Sequence, residues 1–278
     1  MCWICSKQNL FRVLDQMALL YPEDYNFHPR TWYLPEQLHS LSNDMKKINE
    51  KRTRGKATFI VKPDAGSQGE GIYLIRDVQE YISMSSGFQN AGRLHVCQEY
   101  VSDVLLIDKF KFDLRVYTVV TSVDPLELYI CKEGLARFAT IPYEYPTNKN
   151  IHESFMHLTN YSLNKRSATF NRSEREDEGS KRTLTSVFSR LKRHGYHTEQ
   201  LWQRIEKIIV KTMIAIIPDM KIELQKAVPP NKPGPSCFQV TTNAPSIIDR
   251  TCFGLPQGQS IDVRFCYDDS GTASTLLY

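Results

Sequence analysis

The 278-residue sequence has no long uninterrupted apolar run. Its most apolar helical stretch, Ile208 to Ile217, is too short to cross a bilayer and contains Lys211. Its seven cysteines are an odd number and are scattered, so they do not form the dense framework that staples small secreted domains. Since no signal peptide is evident either, the sequence predicts a soluble cytoplasmic protein without a membrane span.

The chain also lacks a strong charge of one sign. Its net charge is only +4, from 35 basic and 31 acidic residues, which argues against nucleic acid as a partner. The local exception is a basic linker before the first strand, made of Lys46, Lys47, Lys51, Arg52, Arg54 and Lys56. Two interpretations of this linker stay open: an ordinary solvated loop, or a contact with an acidic partner surface.

A glycine-rich segment separates two short runs of β-forming residues, Thr58 to Val61 and Ile72 to Ile75. Its glycines, Gly66, Gly69 and Gly71, permit positive φ, so several backbone N–H groups can point at one anion. Lys62 at the end of the first run adds a positive charge. The pattern predicts a strand-loop-strand clamp for phosphates.

Other glycine signatures do not fit this segment. No Gly-Lys-Ser/Thr follows, and the next element is predicted as a strand rather than a helix, which excludes a Walker loop and a Rossmann fingerprint. A protein kinase is also excluded, because neither an HRD-type loop nor a DFG motif follows Lys62. An ordinary glycine hairpin with a surface lysine remains the alternative.

Several helices are predicted along the chain. Apolar residues at helical spacing from Leu10 to Leu20 indicate an amphipathic helix, and a loop with Trp32 leads to a polar helix around Glu36 to Asn49. Further helices are expected over Val78 to Met84, Leu184 to His194 and Thr198 to Ile217, with a mobile loop over Asn171 to Arg182.

Between these helices the pattern favours strands. They are expected over Leu94 to Val101, Leu105 to Tyr117 and Leu126 to Cys131. Within the second, Lys111, Asp113 and Arg115 alternate with apolar residues and therefore share one face. Solvent exposure would explain that face, and so would a cleft for a polyanion.

Five ordered motifs carry a family resemblance. They are FIVKPDAGSQGEGIYLIR, QEYV, LLIDKFKFDLRVY, EGLARFAT and HLTNYSLNK, and together they closely resemble the tubulin tyrosine ligase-like family, in particular its polyglutamylase branch. The resemblance covers roughly residues 5 to 239. It implies an α+β ATP-grasp fold, in which two α+β units clamp ATP.

The resemblance also implies roles for single residues. Lys62 would hold phosphates of ATP, and Lys111 and Asp113 would make catalytic nucleotide contacts. Arg137 is expected to be catalytic and to bind the carboxylate of the incoming amino acid, because guanidinium binds carboxylate in bidentate fashion. The remaining implied ATP contacts are Gln68, Gly69, Glu70, Gly71, Gln98, Glu99, Tyr100, Val101, Thr159 and Asn160, and the remaining substrate contacts are Tyr161, Ser162 and Lys181.

Each of these residues has a structural alternative. Thr159 and Asn160 could form a turn, and Arg137 could belong to a surface ion pair of little energetic worth.

In the hinge from Gln98 to Val101, backbone groups are expected to pair with the adenine edge, while Tyr100 or Val101 packs on its face.

The implied activity is an ATP-dependent protein-glutamate ligation. An acceptor glutamate of tubulin would attack the γ-phosphate, and free glutamate would displace the acyl-phosphate to form an amide bond. Catalysis would consist mostly of positioning and charge neutralisation. The implied partners are the acidic tails of tubulin, and the implied location is the microtubule cytoskeleton, cilium or basal body, for a monomer.

The sequence departs from the family after residue 239. Relatives continue into strands that complete the Mg²⁺ site, whereas residues 240–278 carry no family motif and suggest an alternative or truncated end. Asp262, Asp268 and Asp269 lie in a different setting, so no metal ligands are assigned. We expect a remnant of an N-terminal domain with the linker over 1–57, ATP-grasp subdomains over 58–106 and 107–239, and a divergent tail, with the fold incomplete at both ends.

Two functions follow from these expectations. The first is a tubulin polyglutamylase that uses ATP and Mg²⁺. The second is a catalytically impaired ATP- or microtubule-binding protein, because loss of the metal carboxylates and of core strands would reduce both turnover and stability.

Overall fold

The computed structural model describes residues 6–53, 55–66, 68–86, 92–173 and 175–227, and the backbone alone of Ala227 and of 239–241, 247–249 and 261–265. The helices are α1 (Lys7–Leu20), α2 (Leu38–Glu50), α3 (Val78–Ser85), α4 (Ser154–His157), α5 (Tyr161–Asn164), α6 (Leu184–Arg193) and α7 (Thr198–Ala227). The strands are β1 (Thr31–Leu34), β2 (Phe59–Pro63), β3 (Tyr73–Ile75), β4 (His95–Glu99), β5 (Leu106–Ile107), β6 (Phe110–Val123), β7 (Leu126–Phe138), β8 (Lys181–Thr183), β9 (Gln239–Thr241), β10 (Ile247–Asp249) and β11 (Ile261–Phe265). The α+β class expected from the sequence is confirmed.

The first sheet has four antiparallel strands in the order β1-β4-β2-β3. All five residues of β2 are buried, which agrees with its unbroken run of β-forming side chains. Helices α2 and α3 cover one face, where Leu41 and Val78 pack with Phe59. On the other face, Ile60 and Leu74 pack against Tyr100, Ile151 and Leu158.

The second sheet is built on the long hairpin of β6 and β7, whose strands contain 14 and 13 residues. Strand β8 continues the sheet beyond β7, and the order of the main path is β10-β11-β6-β7-β8. The largest apolar cluster lies against this sheet and includes Leu114 and Val116 from β6 and Ile205 from α7.

Helix α1 belongs to the core of the second sheet although it comes first in the chain. Its side chains Leu10, Phe11 and Leu14 are fully buried in the same cluster as α7. Ser6 caps the helix by accepting a hydrogen bond from the Asn9 N–H at 3.2 Å. Leu20, which the sequence pattern places on the buried stripe, is 69% exposed, because the helix ends there.

Two predicted loops contain strands instead. The segment around Trp32 forms β1, because Trp32 and Leu34 bury their side chains while the backbone pairs with β4. The end of the loop predicted over Asn171 to Arg182 forms β8, in which Lys181 pairs with Arg137 of β7. Sheet pairing determined both elements, and pairing across such sequence distances leaves little local signal.

The strand predicted over Leu105 to Tyr117 is interrupted by a tight turn. Asp108 and Lys109 both have positive φ, of 55° and 69°, and they connect β5 to β6. Such turns usually contain glycine. Here the Asp108 carboxylate accepts hydrogen bonds from Arg182 and Arg190, and these contacts hold the turn.

Helix α7 extends beyond its predicted end at Ile217. It contains Pro218 and continues to Ala227. Proline removes one backbone hydrogen bond but does not always end a helix, and the packing of Ile216 and Met220 in the core supports both sides of it. Within the described part of the chain, no helix is long and apolar enough to cross a membrane.

The expected loss of strands beside β6 is not observed in the backbone. Strand β9 pairs with β6 in antiparallel fashion, and β11 pairs with it in parallel. The register places Asp262 opposite Asp113. Asp268 and Asp269 lie outside the described residues.

Gly134 in β7 provides a test of the hairpin packing. A Cβ at this position would lie 2.3 Å from the Arg115 carbonyl oxygen and 2.8 Å from Leu184 Cδ1. We expect Gly134→Ala to lower the free energy of unfolding by about 3 kcal/mol, because backbone atoms cannot move aside cheaply. Urea denaturation followed by circular dichroism measures the change.

Gly195→Ala is the matched control. Gly195 has a φ of +85° but nothing within 4 Å of its added Cβ, so we expect a loss of only about 1 kcal/mol from backbone strain. Equal losses in the two variants would show that the close approach at Gly134 contributes nothing.

Candidate active site

The candidate site lies where the two sheets meet. The first sheet supplies Lys62, whose side chain is 7% exposed and whose Nζ donates to Gln98 Oε1 at 2.7 Å. Gln98 in turn donates through Nε2 to Thr31 Oγ1 at 3.0 Å, which fixes the orientation of its amide. Because Lys62 is buried, the alternative of a surface lysine beside a glycine hairpin is wrong.

The glycine loop lies between β2 and β3 and packs against Asn160. Gly66, Gly69 and Gly71 all have positive φ, as the sequence predicts. A Cβ at Gly69 would lie 2.9 Å from Asn160 Cγ, so this glycine permits close contact between two predicted ATP-binding segments. Gln68, with a φ of 60°, and Glu70 are exposed at the tip of the loop.

The base of the glycine loop is anchored to helix α1. The Asp64 carboxylate accepts hydrogen bonds from Ser6 Oγ and from the Gln8 N–H. Lys7 Nζ donates to the carbonyl oxygens of Asp64 at 2.9 Å and Gly66 at 3.2 Å. Burial lowers the pKa of Lys7, while the Asp64 charge opposes that shift. No signal in the glycine motif itself indicated this anchor.

The second sheet supplies a buried ion pair. Arg137 donates to Asp113 through Nε at 2.9 Å and through Nη2 at 2.8 Å. Asp113 is completely buried and also accepts a hydrogen bond from Thr159 Oγ1. Arg137 is 8% exposed, so the alternative of a surface ion pair is wrong, and so is the alternative of a solvent-exposed face at Asp113.

Lys111 joins the two sheets. Its Nζ donates to the Tyr100 hydroxyl at 2.9 Å and lies 4.3 Å from the centre of the Tyr100 ring, so hydrogen bonding and a cation–π contact act together. Both side chains are buried, at 4% and 5% exposure. Arg115, the third charged residue predicted on this face, is only half-buried.

The predicted adenine hinge runs along the end of β4. The N–H groups of Glu99 and Tyr100 already donate to the carbonyls of Arg30 and Thr58, and among the described residues no hydrogen bond involves the backbone of Val101. The ring of Tyr100 is buried beside Lys111, whereas Val101 is half-buried. This leaves Val101 as the more accessible partner for an adenine ring, and the hinge itself stays a prediction.

The predicted substrate residues lie in two places, beside the ion pair and beside the glycine loop. The register pairs Asp113 with Arg137 and Arg137 with Lys181, so the three residues form one row across β6, β7 and β8. Lys181 is exposed. Tyr161 is 40% exposed, and Ser162 lies with Gln68, Gly69, Glu70 and Gly71 on the wall of an open cavity of about 230 Å³.

Two buried residues of the HLTNYSLNK motif were not predicted to matter. Asn164 accepts from the N–H and Oγ1 of Thr140 and donates to the carbonyls of Leu158 and Asn160. It therefore holds the turn that presents Thr159. His157 lies edge-on to Tyr100 and Tyr143, with 5.8 Å between ring centroids in each pair. The sequence signal for Asn164 and His157 was their position inside this motif.

The arrangement fits a nucleotide but not a complete metal site. Two buried lysines and a glycine loop with positive φ suit phosphate oxygens. Among the described residues no group of three or more His, Cys, Asp or Glu side chains could hold a metal ion. Asp113 already accepts three hydrogen bonds from Arg137 and Thr159, so it is poorly placed to serve as a Mg²⁺ ligand as well.

Comparison with known proteins agrees with this geometry. The model of the tubulin-tyrosine ligase family matches residues 1–241. Tubulin polyglutamylase TTLL11 of Homo sapiens is 46% identical over 234 residues, which are 84% of this chain and 32% of the relative. Tubulin polyglutamylase TTLL6 of Mus musculus is 43% identical over 237 residues, 85% of this chain and 27% of the relative.

A third relative, tubulin polyglutamylase ttll-11 of Caenorhabditis elegans, is 39% identical over 243 residues, covering 85% of this chain and 33% of that protein. The chain belongs to the tubulin-tyrosine ligase family, which confirms the resemblance in its five motifs. It spans about a third or less of the length of these curated relatives. The family match ends at residue 241, close to the predicted departure after residue 239.

His157 leads to a prediction for stability against pH. Burial, assisted by the charge of Lys111, lowers the pKa of His157 to about 4. Between the ordinary value near 6.5 and about 4, the unfolded chain therefore binds more protons than the folded chain. We expect this residue to remove up to roughly 3 kcal/mol of folding free energy as the pH falls through that window.

Urea denaturation at several pH values between 7 and 4 measures this effect. Burial also lowers the pKa of His95, so His157→Gln is compared with the unmodified chain to isolate one histidine. The variant should lose less stability over the same window. If the two proteins lost the same stability over this pH window, the loss could not be attributed to His157.

Proposed function

We propose that the chain binds ATP between the two sheets in an ATP-grasp arrangement and ligates glutamate to glutamate side chains of tubulin. The observation that carries this proposal is the burial of four charged side chains, Lys62, Lys111, Asp113 and Arg137, at the junction of the sheets. Charged side chains are rarely buried unless paired or functional, and perturbed groups concentrate at active sites.

The nucleotide part of the site would be formed by both sheets. Lys62 and Lys111 would neutralise phosphate oxygens from two directions, and Gln68, Gly69, Glu70 and Gly71 would cover them. Gln98, Glu99, Tyr100 and Val101 would line the adenine end. Asp113, Thr159 and Asn160 would position the phosphates from the second sheet. When bound, ATP supplies the phosphoryl group that activates the acceptor carboxylate as an acyl-phosphate.

The amino-acid part of the site would extend from Arg137 toward Lys181. Two donors of Arg137 are held by Asp113, so its guanidinium would have a fixed orientation toward the substrate. Lys181, one strand further, would add a second positive charge for the carboxylates of glutamate. Tyr161 and Ser162 would contact the same substrate from the other side of the glycine loop. The protein would thus act mainly by positioning reactants and neutralising charge.

The proposed acceptors are the acidic tails of tubulin. This proposal is supported by the name tubulin polyglutamylase that the relatives carry and by the basic linker, in which Lys46, Lys47, Lys51 and Lys56 are exposed. Exposure alone favours neither a solvated loop nor an acidic contact. We place the protein on the microtubule cytoskeleton, at a cilium or basal body, as a monomer.

Mass spectrometry of tubulin tests the function directly. Incubation with the chain, ATP, Mg²⁺ and glutamate should add masses of one or more glutamates to tubulin tails, and omission of ATP should abolish them. Binding of a fluorescent ATP analogue is measured on the same sample. Nucleotide binding without added glutamate would replace the ligase by a catalytically impaired ATP- or microtubule-binding protein.

Lys181→Ala tests the amino-acid site. Lys181 is exposed, so its removal should leave the fold intact. We expect the KM for glutamate to rise about tenfold, because a charged contact to a carboxylate is lost, while the KM for ATP stays within about twofold. Steady-state kinetics with radiolabelled glutamate measure both constants.

Lys207→Ala is the control for charge, since Lys207 is an exposed lysine on α7. It should change neither constant. An unchanged glutamate KM in Lys181→Ala would remove Lys181 from the substrate site, and a matching rise in the ATP KM would place it at the nucleotide instead.

A further inference from the structure

Three buried side chains form a continuous polar chain from Lys111 into the segment that carries Thr159. Lys111 Nζ lies 2.9 Å from the Tyr100 hydroxyl, and that hydroxyl lies 3.2 Å from Nδ1 of His157. On its other side, His157 Nε2 lies 3.0 Å from the carbonyl oxygen of Asn150. His157 is 1% exposed, so water has little access to replace these contacts.

Elementary donor and acceptor rules give this chain a direction. The carbonyl of Asn150 can only accept, so Nε2 of His157 must carry the proton. In the neutral imidazole, Nδ1 is then an acceptor, so its contact with the Tyr100 hydroxyl is a hydrogen bond in which that hydroxyl donates. The lone pairs of the Tyr100 oxygen are thereby turned toward Lys111, whose ammonium donates. One backbone carbonyl therefore orients three side chains.

We infer that His157 is a positioning residue for Lys111, acting through the Tyr100 hydroxyl. The inference rests on the proposed function, in which Lys111 contacts the nucleotide. Tyr100 lies at the end of the first sheet and Lys111 lies in the second, so the same chain keeps the ammonium at the junction of the sheets. The cation–π contact of Lys111 with the ring of Tyr100 does not define the direction of its N–H bonds, whereas the hydrogen bond to a fixed hydroxyl does.

The position of His157 in the chain adds a second connection. Thr159, two residues later, donates to Asp113. The segment from His157 to Thr159 is therefore linked to two charged residues of β6. It contacts Asp113 directly, and it reaches Lys111 through Tyr100. A shift of this segment would disturb both at once, which makes His157 more than a space-filling side chain.

Nucleotide affinity in four variants tests the inference. We expect His157→Ala and Tyr100→Phe each to weaken binding of a fluorescent ATP analogue by about three- to tenfold. Because both residues act through one hydrogen-bond chain, the double variant should bind the analogue at most about twofold more weakly than either single variant. His157→Asn, whose amide oxygen can lie near the Nδ1 position, should restore affinity to within about twofold of the unmodified chain.

Other outcomes overturn the inference. Multiplying effects in the double variant would mean that His157 and Tyr100 act independently, and failure of His157→Asn to restore affinity would reduce His157 to a packing role. His152→Ala is the control, since His152 is exposed in the same segment and should leave affinity unchanged. Thermal unfolding of each variant verifies that folded protein is compared.

A measurement without nucleotide separates this inference from the proposed function. The ¹⁵N chemical shifts of labelled histidine should show His157 protonated at Nε2 and unprotonated at Nδ1, and Tyr100→Phe should shift mainly the Nδ1 resonance. The opposite tautomer overturns the inference even if ATP binds. If the expected tautomer is present but the unmodified protein does not bind ATP, the proposed function and its consequence for Lys111 are overturned. The hydrogen bonds among Lys111, Tyr100 and His157 would still stand.

Discussion

The ion pair between Asp113 and Arg137 is the constraint on which the site depends. Both groups have left water, and removing one partner of such a buried pair typically costs about 3–5 kcal/mol, because a charge is left uncompensated. The bidentate geometry fixes the register of β6 against β7. The hydrogen bond from Thr159 to Asp113 attaches the later segment that contains Thr159 to the same pair. The arginine that we propose for recognition of a substrate carboxylate thus also stabilises the structure.

The two sheets are connected by apolar packing and by a polar bridge. Tyr33 of β1 and Val96 of β4 belong to the same apolar cluster as Leu114 of β6. Lys111 and Tyr100 add one hydrogen bond and one cation–π contact between the sheets. Because hydrogen bonds depend on direction, this bridge suits a junction that must place charges accurately, while apolar packing supplies the bulk of the stability.

Local signals were sufficient for much of the architecture. The amphipathic stripe of α1 and the glycine loop were readable from spacing and residue type, whereas the burial of Lys62 beside the loop was visible only in the structure. Strands β1 and β8 were missed because each is defined by a partner far away in the chain, and the Asp108 turn because its stabilising arginines come more than 70 residues later. The inferred role of His157 depends on the carbonyl of Asn150, which lies in none of the five motifs.

The anchoring of Asp64 and Lys7 divides the glycine loop into two mechanical parts. Its base is tied to the first turn of α1, and that helix is embedded in the core of the second sheet. Among the described residues of the exposed tip, Gln68, Gly69 and Glu70 form no hydrogen bond with α1. A substitution at Asp64 would therefore disturb the base of the loop and the second sheet together, whereas a substitution at Gln68 would leave that base unchanged.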